Sequence, residues 1–263
     1  MTGQSTDAPL VSHKRDGGRV DLCLNRPAQF NALSEEMLSA LKAELDLIAR
    51  DSSVRCVVLS AAGKAFCAGH DLRQMRASPC LDYYRDLFAR CTEVMQAIVA
   101  LPVPVIARVH GVATAAGCQL VASCDLAVAS DEARFAVSGI NVGLFCSTPA
   151  VALSRNVSTK RAFEMLVTAR FIDAAIAEDW GLINKAIPAA ELDATVENMV
   201  NVIMAKSPAA MRHGKAMFYA QREQTRAEAY ALAAEVMAQN MMEDDAGEGI
   251  DAFLEKRPAV WSA

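Results

Sequence analysis

Two short segments carry residue types and spacings that could stabilise a developing negative charge. The first, Ala65-Phe66-Cys67-Ala68-Gly69-His70-Asp71-Leu72, follows a β-branched run at 54–59 and precedes a helix-forming stretch. A strand edge that turns through small residues leaves consecutive N–H groups unpaired, as an anion or oxyanion site requires. The second runs from His110 to Leu120 as His-Gly-Val-Ala-Thr-Ala-Ala-Gly-Cys-Gln-Leu, where an apolar strand ends, small residues follow and a helix begins. The first turn of such a helix offers free N–H groups at the positive end of its dipole, which suits a carbonyl oxygen acquiring charge. Each segment taken singly also fits a plainer role. The first could be a surface turn in which Gly69 merely supplies a positive φ, and the second a small-residue helix packed tightly on a sheet.

Other chemistries lack their residues. The glycines at 111 and 117 do not make a dinucleotide fingerprint, and Gly63-Lys64 has Val58 and Ala65 where a phosphate loop needs Gly and Ser or Thr. Ser138 is flanked by Ala136 and Ile140 rather than by the glycines of a nucleophile elbow. The four histidines, at 13, 70, 110 and 213, show no metal-ligand spacing, so no metal is expected. Cys67, Cys118 and Cys146 lie near the two segments and read as small core hydrophobes.

The elements that must position these segments alternate. Strands are expected at 20–24, 54–59, 103–107 and 125–129, and helices from a Ser34 cap onward, at 83–99 and at 115–122. From 191 the pattern is helical, near 191–205, 208–221, 225–242 and 247–256. This predicts an α/β core over 1–195 and a helical region over 196–263. With 53% hydrophobic residues and 22% charged, the chain is not a disordered one. Its 26 Lys and Arg against 31 Asp and Glu give a net charge of −5 with no basic stripe, so neither nucleic acid nor an anionic membrane is an expected partner. The most apolar stretch, 94–113, is broken by Pro102, Pro104 and Arg108 and cannot span a bilayer. Eight cysteines without a Cys-x-x-Cys pair read as reduced thiols, and residues 1–7 carry no secretory or transit signature, which together predict a cytoplasmic protein.

Several spaced motifs occur together: Asn25-Arg26-Pro27 with Asn31-Ala32-Leu33, the 66–72 and 110–120 segments, Cys124-Asp125, and Ala252-Phe253-Leu254-Glu255-Lys256-Arg257-Pro258. In this order they resemble the crotonase (enoyl-CoA hydratase/isomerase) superfamily over nearly the full chain. The resemblance implies a ββα spiral core and a C-terminal helical part that builds trimers, often paired into hexamers. It implies no covalent cofactor, and an acyl-CoA thioester as substrate. The thioester carbonyl would sit between the N–H groups of His70 and Ala116, with Gly117 beside the second. CoA would lie against Ala68, Gly69, Asp71 and Leu72, with Arg26 and Lys256 as cations and Phe253 closing over it.

The pattern breaks at the acid–base residues. Hydratases of this family carry a glutamate three residues after the second donor, where this chain has Gln119. They carry another four residues after the phenylalanine at 135, where this chain has Gly139. Neither an amide nor a hydrogen atom exchanges protons near neutral pH, so ordinary hydration should be severely impaired or lost. The resemblance implies a structural role for Asp125, and Glu164 reads as a helix residue of the core. Ala-Gly-His-Asp at 68–71 also resembles the malonyl-CoA-type decarboxylases of the superfamily. Three readings stay open: altered thioester chemistry, decarboxylation, and non-catalytic acyl-CoA binding.

Overall fold

The computed structural model describes residues 8–262. The residues 1–7 read above for a targeting signal lie outside that range. β1 (Val11–Asp16) and β2 (Arg19–Leu24) pair as an antiparallel hairpin, with Val20, Leu22 and Leu24 turned inward at every second position. The Ser34 hydroxyl accepts the Met37 N–H and so starts α1 (Glu35–Ala49), whose Met37, Leu38, Leu41, Leu45 and Ile48 form one buried stripe.

Three times in succession the chain then makes a long strand, a short strand and a helical return. The first pass is β3 (Cys56–Ala61), β4 (Ala65–Cys67), α2 (Leu72–Ala77) and α3 (Leu81–Ala100). The second is β5 (Val105–Val109), β6 (Val112–Thr114) and α4 (Ala116–Ser123). The third is β7 (Leu126–Ser130), β8 (Arg134–Ala136), α5 (Ser147–Leu153) and α6 (Thr159–Thr168), followed by β9 (Ile172–Asp173), α7 (Ala174–Asp179) and β10 (Lys185–Ile187). The long strands build a six-stranded sheet in the order β1-β2-β3-β5-β7-β10, parallel from β2 on, and the short ones a second sheet, β4-β6-β8-β9. This is the ββα spiral that the resemblance implied.

Both faces of the middle of the larger sheet are covered, which is why β3, β5 and β7 are nearly continuous apolar runs. One face joins the main core. On the other, Cys56, Val58, Ile106 and Val128 meet Leu192, Val196 and Val200 of α8 (Leu192–Met204). The expected position 195 falls inside α8. Then follow α9 (Pro208–Gln221), α10 (Arg226–Met241) and α11 (Asp244–Glu255).

A buried ion pair fastens α9 to the spiral. The Lys215 ammonium donates to Asp125 Oδ2 at 2.7 Å and to the carbonyls of Ile98 and Val103 at 3.0 and 2.9 Å. Asp125 Oδ2 also accepts the Val105 N–H at 2.7 Å and so ties β5 to α9, while its Oδ1 is buried without a partner among the described residues. Among the described residues no helix is long and apolar enough to cross a membrane. Nor do any three His, Cys, Asp or Glu residues there cluster as a metal site.

Candidate active site

The 65–72 segment leaves β4 and is stitched to the loop after β2. The Ala68 N–H donates to the Phe30 carbonyl at 3.0 Å, and the Leu33 N–H to the Gly69 carbonyl at 2.8 Å. Asn31, fully buried and itself at φ 54°, fixes this loop. Its Oδ1 accepts the Arg26 N–H at 2.8 Å, and its Nδ2 donates to the carbonyls of Ala62 and Ala65 at 2.8 and 2.9 Å.

Gly69 is where the two sequence segments touch. It stands at φ +90°, and a Cβ there would lie 2.9 Å from Ala115 Cβ and 3.1 Å from the Thr114 carbonyl oxygen. Both conformation and space demand glycine. Facing it, Ala115 adopts φ 52°, ψ −121°, an unusual conformation for a residue with a Cβ, and its N–H is spent on the Ala136 carbonyl at 2.9 Å. Backbone strain of this kind is stored where a loop must present a group in a set direction. The next residue, Ala116, opens α4. Among the described residues neither the Ala116 N–H nor the His70 N–H has an acceptor in the chain. Gly117 brings α4 into backbone contact with β4, since a Cβ there would sit 2.1 Å from the Cys67 carbonyl oxygen.

His70 and Ala116 line one cavity of about 730 Å³, together with Arg26, Ala68, Asp71, Leu72 and Gly139 from the residues singled out in the sequence. Gly69 and Gly117 support its wall without lining it. Phe253 and Lys256 do not reach it in this chain; they lie at the end of α11, with Phe253 82% exposed. Arg73, which sequence reasoning missed, adds a second guanidinium to Arg26. It stands in the first turn of α2.

The protonation inventory of this cavity is short. Asp71 is its one carboxylate among the described residues, and its Oδ1 accepts the N–H groups of Arg73 and Gln74 at 2.9 and 3.3 Å as the cap of α2. His70 is its one imidazole. Burial lowers His70 to about 4, its Nε2 is buried without a partner, and its ring meets Phe88 edge-on at 5.5 Å, so the side chain is neutral near pH 7. Burial holds the thiols of Cys67 and Cys118 up at about 12, which makes them inert core groups. Cys146 lines the cavity, accepts the Gly139 N–H at 3.2 Å and is likewise raised by burial.

The two positions without glutamate differ in kind. At Gly139 a Cβ would lie 2.5 Å from the Leu144 carbonyl oxygen and 2.7 Å from Cys146 Sγ, so the space a side chain would use is taken. Gln119 is 5% exposed, its Oε1 has no partner among the described residues, and it lines a second cavity. Glu164 lies outside the cavity and pairs with Arg170 at 3.2 Å.

Residues 16–263 match the enoyl-CoA hydratase/isomerase family. The chain belongs to that family. It is 44% identical over 260 residues to the mitochondrial enoyl-CoA hydratase domain-containing protein 3 of Mus musculus, covering 99% of this chain and 87% of that one. The Homo sapiens protein of the same name is 44% identical over 98% of this chain and 85% of its own length. Among solved structures, an enoyl-CoA hydratase of Mycobacterium smegmatis superposes with a TM-score of 0.96 at 61% identity, covering 97% of this chain and 99% of that one. Human enoyl-CoA hydratase domain-containing protein 3 superposes with a TM-score of 0.93 at 44% identity, over 96% of this chain and all of that one. The crotonase fold and the likeness to domain-containing protein 3 are thereby shown. The cytoplasmic location expected above is overturned by the same relatives, which are named mitochondrial. Reduced cysteines report a reducing environment and do not single out the cytoplasm.

Proposed function

We propose that this family member binds acyl-CoA thioesters and polarises the thioester carbonyl between the His70 and Ala116 N–H groups, without the acid–base pair of a hydratase. The observation that carries this reading is the cavity wall itself. It joins two unpaired N–H donors to a neutral imidazole and a carboxylate already committed to a helix cap. Two fixed donors stabilise an enolate oxygen by roughly 3 kcal/mol each in a site shielded from water. Arg26 and Arg73 supply positive charge for the CoA phosphates, and the backbone of 68–72 supplies a surface for the adenine.

Hydration needs a base for the water and an acid for the α-carbon, each contributing about 10²–10⁴-fold, and Gln119 and Gly139 supply neither. Loss of CO2 from a malonyl-type thioester needs only the oxyanion pair. The electron pair of the breaking C–C bond passes to the enolate oxygen, and solvent later protonates the carbon. The second reading, acyl-CoA binding without turnover, is favoured by the packing of Leu144 and Cys146 over Gly139. One experiment separates them. The purified protein is mixed with crotonyl-CoA, methylmalonyl-CoA and a 3-enoyl-CoA, with binding followed by calorimetry and products by mass spectrometry. Propionyl-CoA from methylmalonyl-CoA supports the enzyme. Binding with no product from any of the three sinks the enzyme and leaves the binding protein, and no binding at all overturns both.

The region 196–263 is read as the assembly part of a homotrimer or paired trimers. Supporting this, α10 buries none of its own residues within the chain, while Tyr230, Met237 and Met242 stand more than 70% exposed. A monomer mass in light scattering refutes it.

A further inference from the structure

Loss of CO2 leaves an enolate whose α-carbon must gain a proton, and the first cavity holds few groups able to deliver one. Among the described residues its one carboxylate, Asp71, caps α2, and its one imidazole, His70, is neutral with Nε2 buried. The Cys146 thiol is occupied by the Gly139 N–H. Ser138 is placed differently. It lines the cavity beside Gly139, and its hydroxyl stands 2.8 Å from that of Thr114, both residues being half-buried. β6 and β8 are parallel with Thr114 opposite Ala136, and the Ala115 N–H donates to the Ala136 carbonyl at 2.9 Å. Ala116 and Ser138 therefore each stand two residues beyond one matched pair, leaving strands that run about 5 Å apart, and both reach the cavity. The other hydroxyls on its wall, Ser147 and Thr148, belong to α5 and lack this tie to the oxyanion segment. With Thr114 donating, the Ser138 oxygen accepts and its own hydrogen is left for a substrate.

We propose that Ser138 is the catalytic proton donor to the α-carbon of the enolate, with Thr114 as a positioning residue behind it. This rests on the reading of the first cavity as a thioester-enolate site, in which solvent is the ultimate source of the proton. As the Ser138 O–H bond breaks, the enolate's electron pair takes the proton to form the new C–H bond, and the thioester carbonyl is restored. The serine oxygen is left as an alkoxide held by a charge-assisted hydrogen bond from Thr114. Water then returns the proton, and the hydroxide so formed combines with the released CO2 as bicarbonate. A hydroxyl cannot replace the acid–base pair of hydration near neutral pH. An enolate carbon, however, is far more basic than an alkoxide, so this one transfer runs downhill. A donor fixed in the wall reaches only one face of the planar enolate, whereas free solvent reaches both.

The test is decarboxylation of methylmalonyl-CoA by the full-length protein in D2O, with the configuration of the α-deuterated propionyl product read by deuterium NMR of a chiral ester. The parent is expected to give a single configuration. Ser138→Ala is expected to lose that excess and give the two configurations in equal amounts, while Ser138→Thr keeps it. Thr114→Val leaves the serine in place without its partner and is expected to lower the excess, so the test stands even if Ser138→Ala does not fold. A serine that merely supports the wall would change yield or Tm and leave the configuration alone. Mixed configuration from the parent, or an undiminished excess in Ser138→Ala or Thr114→Val, overturns the assignment while leaving decarboxylation standing. No propionyl-CoA from the parent overturns it together with the enzyme reading of the first cavity.

Discussion

Placing a single methyl group at Gly139 tests whether position 139 has room for any side chain. The added Cβ of Gly139→Ala would stand 2.5 Å from the Leu144 carbonyl oxygen and 2.7 Å from Cys146 Sγ. Neither contact resembles the far end of a flexible side chain. The carbonyl is backbone, and its segment is held by the Leu144 N–H donating to the Gly139 carbonyl at 3.0 Å, while the sulfur accepts the Gly139 N–H at 3.2 Å. Relief therefore requires the 139–146 segment to move as a piece. Overpacking of this kind costs about 1–3 kcal/mol. For a chain of this size that corresponds to a fall in Tm of roughly 2–12 °C. Adding Cys146→Ala removes the sulfur clash and leaves the carbonyl clash, so the double variant should recover part of the loss. The assay is thermal unfolding of the three variants and the parent at one protein concentration. A Gly139→Ala protein with the parent's Tm, to within about 1 °C, refutes the claim that the volume is occupied. The same packing bears on activity. Gln119→Glu with Gly139→Glu puts a carboxylate at both positions, and under the proposed function hydration should rise only if the 139–146 segment yields.

Further expectations follow from the buried polar groups. Because burial lowers His70 from 6.5 to about 4, the unfolded chain binds this proton first. The resulting stability is complete above about pH 6.5 and lost as pH falls to about 4, a swing on the order of 3 kcal/mol that His70→Gln should remove from Tm measured against pH. Lys215→Met leaves Asp125 charged and buried without its ammonium, and denaturant titration should show a loss of about 3–5 kcal/mol. Asn31→Ala removes three hydrogen bonds that hold the 26–31 and 62–65 backbone, and should cost about 2–4 kcal/mol in the same titration while weakening acyl-CoA binding through the Gly69 loop.

The parts of the fold legible in the sequence are those with enough residues to show a period. The stripe of α1 and the inward positions of β2 are written in spacing alone, and the C-terminal helices at 208–221 and 225–242 lie within a residue of α9 and α10. The second sheet was not read, because β4, β6 and β8 have three residues each and β9 two, too few for alternation to appear. Likewise β1 buries only Val11, at its first position, so its sequence shows no apolar pattern although its pairing with β2 is complete.

At the site, sequence finds what a local rule dictates and misses what distant segments decide. Gly69 and the small residues before Ala116 announce a close backbone approach, and they do meet, with Ala115 carrying the strain. The vacancies at Gln119 and Gly139 are equally visible as residue types. Their meaning is not, because it depends on what occupies the space. Gln119 lies on the wall of the second cavity, a property of where α9 and α5 pack. Gly139 is overlaid by Leu144 and Cys146, which the chain brings back by a turn of a few residues. A glycine beside an empty volume would accept a larger side chain. Here backbone and sulfur have taken the volume at 139. If the proposed function holds, what sets position 139 apart is therefore its packing, of which the glycine is the visible consequence.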